Sequence, residues 1–124
     1  MTPPPAKFWS VGLANRFWQS LDYGDRQSSL NSHQAEYDEH GRVVAVIAHG
    51  DPGIANWLDP CGLDEGSLAI RFLSCRDTPA PSIRLLPRSR LETELPPGTA
   101  RITPACRAQT LSRRRAGVRR RFRR

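Results

Sequence analysis

Hydrophobic and polar residues alternate at period two in the first part of this chain and give way to a helical stripe near its end. Phe8–Asn15 (FWSVGLAN) sets Trp9, Val11 and Leu13 on one face, the spacing of a half-buried strand. Ser67–Ser74 (SLAIRFLS) repeats the pattern, with Leu68, Ile70 and Phe72 opposed to Ala69, Arg71 and Leu73. Between them, Val43–Ala48 is apolar at every position, which predicts a central strand covered on both faces. Gln34–Tyr37 and Asp38-Glu39-His40-Gly41 precede it. Gly41 can take the left-handed conformation that a short bulged hairpin loop needs. Ser82–Leu86, held between Pro81 and Pro87, is a further short strand.

Turn chemistry separates these segments. Asp22-Tyr23-Gly24-Asp25, Asp51-Pro52-Gly53 and Asp59-Pro60-Cys61-Gly62 each combine Asp with Gly or Pro. Ser89 followed by Glu92 is a capping-box pattern that predicts one or two helical turns over Arg90–Leu95. Thr103-Pro104 supplies an N-cap and a first helical residue for the last element. There Leu111, Val118 and Phe122 recur at i, i+7 and i+11, with Ala108 and Arg115 filling a narrow seam on a cationic helix. The elements predict a mainly β protein: one antiparallel sheet, or an incomplete β-sandwich, closed by a C-terminal Arg-rich α-helix. Three regions follow: a disordered Pro-rich leader over 1–6, a β-rich domain over 7–100 and the basic helix over 101–124.

Charge sharpens that division. The net charge of +7 over 124 residues hides an asymmetry. The last 24 residues carry ten Arg and no acid, whereas Met1–Ala100 carries nine basic and twelve acidic residues. A basic segment on a mildly acidic body can bind that body or an external polyanion. Cys61, Cys75 and Cys106 are odd in number and show no CxxC spacing, which favours reduced thiols in the cytoplasm over a disulfide scaffold. No apolar leader or membrane-length apolar run is present.

Five segments form a recognisable series: FWS at Phe8–Ser10, LDYGDRQSSLN at Leu21–Asn31, HGRVVAVIAHGDPG at His40–Gly53, NWLD at Asn56–Asp59, and a strand carrying Arg71. In this order they resemble the bacterial domain of unknown function 1214, over Lys7–Leu73. The resemblance implies a jelly-roll-like β-sandwich that forms the C-terminal part of longer proteins. It therefore also implies a fragmentary chain, with an upstream domain or a second chain completing the sheet. His40-Gly41 departs from the Asp-Gly that the family favours at its hairpin turn.

Few catalytic patterns are present. There is no GxSxG, phosphate loop or dinucleotide fingerprint, so no catalytic residue and no cofactor are assigned. His33 and His49 are a candidate metal pair if the hairpin brings them to one open end, the alternative being polar hairpin-base residues. Arg26, Gln27, Asn31, Gln34, Asn56, Trp57 and Asp59 combine amides, a guanidinium and an indole, groups suited to a polar, sugar-like or carboxylate ligand. The alternative is that they tie loops to the sheet rim, with Arg26 paired to Asp59. Arg113, Arg114, Arg115, Arg119, Arg120 and Arg121 form a polyanion-binding candidate for RNA or DNA, against docking of the helix on the domain. The expectation is a non-catalytic ligand-binding or accessory domain, with polyanion binding or a part in a larger metal-dependent enzyme as alternatives.

Overall fold

Trp9, Val11 and Leu13 do alternate inward, and they organise the largest sheet. In the computed structural model, which describes residues 1–123, β1 (Phe8–Ala14) lies between β2 (Ser29–Asn31) and the later strand Ser67–Leu73. Both neighbours are antiparallel to β1. The register places Val11 opposite Ile70 and Leu30, and Trp9 opposite Phe72, so same-face apolar pairs form across the ladder. Trp9, Val11, Leu30, Ala35, Val43 and Leu58 make the core, with Leu13, Leu68, Ile70 and Phe72 packed against it. Trp9 Nε1 donates to the Tyr37 hydroxyl at 3.0 Å, which satisfies the one polar atom of that ring.

The run Val43–Ala48 differs from its expected form. Only β3 (Val46–Ile47) is a strand, and it pairs in parallel with β4 (Trp57–Leu58), making a separate two-stranded sheet. Ile47 is 50% exposed, so this strand is not covered on both faces. The Asn56 side chain takes up backbone groups that a longer strand would pair. Its Nδ2 donates to the carbonyls of Val44 (3.1 Å) and Glu36 (2.7 Å), while its Oδ1 accepts from Glu36 N at 2.8 Å. A single buried amide thus takes the place of several ladder bonds. The strand Ser67–Leu73 is β5.

The turn signals hold. Asp38 Oδ1 accepts from His40 N and Arg42 N, and Gly41 has φ +71°. Asp51 Oδ1 accepts from Gly53 N at 2.8 Å. Ser82–Leu86 forms no strand and joins no ladder, with Ile83 and Leu85 exposed. The Ser89 region forms a 3-10 turn (Arg88–Arg90) and a short helix α1 (Leu91–Glu94), without a side-chain cap at Pro87. Met1, within the expected disordered leader, exchanges two main-chain hydrogen bonds with Val43. The long helix α2 spans Pro104–Phe122, and Arg124 lies outside the described residues. The chain is thus a three-stranded antiparallel sheet, a two-stranded parallel sheet and a C-terminal helix.

Candidate functional site

The site is built where α2 meets the body. Ile54 bridges Arg101, with Ala55 N donating to Ala100 O and Ile102 N to Gly53 O. This short antiparallel contact delivers Thr103 beside Ile54. The Thr103 hydroxyl then accepts from Cys106 N, and Pro104 occupies the first turn, as the Thr-Pro pair predicts. One turn further on, Arg107 falls directly over the carbonyls of Ile54 and Ala55.

Arg107 is 5% exposed, and every arm of its guanidinium is used. Nε and Nη2 donate to the Asp51 carboxylate, Nη1 to Gln27 Oε1 (2.9 Å) and Ala55 O (3.3 Å), and Nη2 also to Ile54 O (2.5 Å). Its planar group lies 5.2 Å from the centre of the Trp57 ring. Burial raises the Asp51 carboxyl, but the bonds from Arg107 and Gly53 N outweigh that effect and hold it below the ordinary carboxylate range.

Two turns along, Arg114 reaches across to β2. Its Nη2 donates to Ser29 O (2.5 Å), and its Nη1 to Ser29 Oγ (3.1 Å) and Tyr23 O. Arg115 pairs with Asp25. The inner face of α2 is therefore Arg107, Thr110, Leu111, Arg114 and Val118. The expected apolar seam is corrected in part: Leu111 and Val118 are half-buried, whereas Ala108 and Arg115 face solvent and Phe122 is 74% exposed. The helix docks mainly through guanidinium groups bonded to carbonyls.

Between α2 and the β2 region lies a cleft of about 510 Å³. Arg107, Arg113, Arg114 and Arg121 line the helix side, and Gln27, Asn31, His33, Gln34 and Glu36 the body side. Burial pushes the Arg114 pKa down, and the like charge of Arg107 adds to the effect. Arg114 Nε is buried with no hydrogen-bond partner among the described residues. Arg114 is thus a half-buried cation whose Nε is fully buried, and no carboxylate pairs with it among the described residues.

The seven residues read as a polar cluster divide between two roles. Gln27, Asn31 and Gln34 line the cleft. Arg26 pairs with the buried Asp59 at 2.8 Å, which raises the Arg26 pKa, and Asp59 also accepts from Cys61 N. Asn56 ties the Val44 segment to the Glu36 loop, and Trp57 Nε1 donates to Ala48 O at 2.9 Å. Each of these four is bonded within the fold, Arg26 through its Nε alone. Gln27 is committed too, its Nε2 donating to Trp57 O and Ala55 O and its Oε1 accepting from Arg107. Arg107 was absent from the expected set, although its place in the series 107, 111, 114 and 118 follows the helical period.

Of the histidines read as a candidate metal pair, His49 contacts Asp64 and the His33 ring lies beside Phe8. Among the described residues no group of three or more His, Cys, Asp or Glu converges, and no helix is long and apolar enough to cross a membrane.

No family model matches the chain, and no curated protein does. Among solved structures the chain is similar to an uncharacterised protein from Burkholderia cenocepacia, with a TM-score of 0.69 and 33% identity. The likeness covers 73% of this chain and 25% of that one, so the chain spans about a quarter of the length of this relative.

Proposed function

We propose that this chain is a non-catalytic binding domain that holds a small polar ligand carrying a carboxylate or phosphate, such as a sugar acid or sugar phosphate, in the cleft beneath α2. The observation that carries this reading is Arg114. A desolvated guanidinium with an unpartnered Nε and no counter-ion is costly, and an anion entering the cleft would relieve it. Arg113 and Arg121 add two exposed guanidinium groups at the cleft wall, and the Asn31 and Gln34 amides suit hydroxyl groups.

Titration calorimetry and thermal shift with glucuronate, glucose 6-phosphate and neutral glucose test it. The two anions are expected to bind and raise the melting temperature, and glucose is not. Arg121→Ala should weaken anion binding about tenfold, the loss of one charge-assisted contact. Equal binding of glucose, or no binding of either anion, would end this reading.

The finer architecture follows the same line. We propose that the two sheets belong to a jelly-roll-like sandwich of the domain-of-unknown-function 1214 type, completed by another domain or a second chain. The outer edge of β5 pairs with no strand among the described residues over seven residues, and the solved relative is about four times longer than the matched part. Sequencing the DNA upstream of Met1 tests it. An in-frame extension rich in alternating strands is expected, and a stop codon there together with a monomer in solution would refute it.

A further inference from the structure

Docking sorts the arginines of α2 and its C-cap into three sets. Arg107, Arg114 and Arg115 are bound to the body, and Arg113 and Arg121 line the cleft. Arg119, Arg120 and Arg123 are exposed and make no hydrogen bond or ion pair among the described residues. Together with Ser112, Ala116 and the Asp25-paired Arg115 they surround a shallow hollow of about 340 Å³ on the solvent face. We infer that this face, independently of the cleft, receives the phosphate backbone of a nucleic acid.

Three observations carry the inference. Asp51 is taken by Arg107 and Asp25 by Arg115, Asp22 accepts from the Gly24 and Asp25 amides, and among the described residues no carboxylate pairs with Arg119, Arg120 or Arg123. Ser112 and Ala116 are small, which lets a phosphate approach the helix between the flanking guanidinium groups. Phe122 is 74% exposed at the same end of the helix, an aromatic surface on which an unpaired base can stack. An anionic membrane fits less well, because Leu111 and Val118 are turned toward the body and leave no apolar face to insert.

Fluorescence anisotropy with short RNA, single-stranded DNA and duplex DNA tests the inference, with anionic phospholipid vesicles as a separate arm. Binding to RNA or DNA is expected, weakening about thirtyfold between roughly 50 and 200 mM salt, as for about three neutralised phosphates. Arg119→Ala/Arg123→Ala should remove most of that binding and cut the salt slope by about two units. Arg71→Ala/Arg76→Ala, which removes equal charge from exposed positions off the helix, should change affinity less than about twofold. Circular dichroism checks that α2 persists in both variants. Equal loss in both variants, retained binding in Arg119→Ala/Arg123→Ala, binding to vesicles alone, or no binding at low salt would each overturn it.

Discussion

Arg107→Ala is expected to destabilise the protein by about 3 kcal/mol, the low end for breaking a buried ion pair because Asp51 keeps some contact with water. For a domain of this size that is a fall in melting temperature on the order of 10 °C. The loss exceeds that of a surface salt bridge because four acceptors are affected together: the Asp51 carboxylate, Gln27 Oε1, and the carbonyls of Ile54 and Ala55. Arg107→Lys should recover less than about half, since an ammonium cannot present a planar fork to four acceptors. Intrinsic Trp fluorescence reports the change, because the guanidinium lies against the Trp57 ring.

The same variant has a pH signature. The folded-state pKa of Asp51 is depressed, so its ionised form adds stability that is present above the ordinary carboxylate value of about 3.9. That stability is lost as the pH falls through the lower folded value. Arg107→Ala should flatten this part of the acid-unfolding profile. A melting temperature within about 2 °C of wild type, with an unchanged acid profile, would show that the guanidinium does not hold α2 to the body.

The second large effect is expected at Asn56, which is 4% exposed. Asn56→Asp preserves shape, so no cavity forms. It replaces the Nδ2 donor with an oxygen facing the carbonyls of Glu36 and Val44. An uncompensated buried charge there should cost about 3–5 kcal/mol at neutral pH. Here the sign reverses relative to Asp51. The new carboxyl would have a raised folded pKa, so its penalty grows as the pH rises above about 4 and is relieved below it. Denaturant melts near pH 4 and pH 7 should therefore converge on wild type only at the acid end. A variant equally stable at both would mean that the amide is not the bridge between the Val44 and Glu36 segments.

Much of this fold was legible because water enforces the pattern. β1 and β5 each bury one face, so Trp9, Val11, Ile70 and Phe72 declare themselves by alternation. The Asp-led turns and the Thr103-Pro104 helix start are local chemistry and were readable for the same reason. The pairing of β3 with β4 was not readable. It lies beside one amide whose three partners are scattered over the Glu36 and Val44 segments, and no periodicity encodes that. Ser82–Leu86 has strand composition, but no neighbouring edge receives it. The helix was placed correctly and its inner face only in part. An arginine reads as a solvent residue until a carboxylate 56 positions away is found to meet it. The cleft was half legible: the amides of Gln27, Asn31 and Gln34 marked one wall, and the arginines of the other were assigned outward.

The clasp made by α2 also bears on the order of folding. Arg107 meets Gln27 across 80 residues and Arg114 meets Ser29 across 85, so each contact closes a loop comprising most of the chain. Closing such loops costs entropy that is recovered only after β2 and the Asp51 turn exist to receive the guanidinium groups. Contacts of this kind are expected to form after the rate-limiting barrier, where they leave the speed of folding nearly untouched and slow unfolding instead. The arginines of the inner face thus act as a late latch, setting how long the assembled domain lasts rather than how quickly it forms.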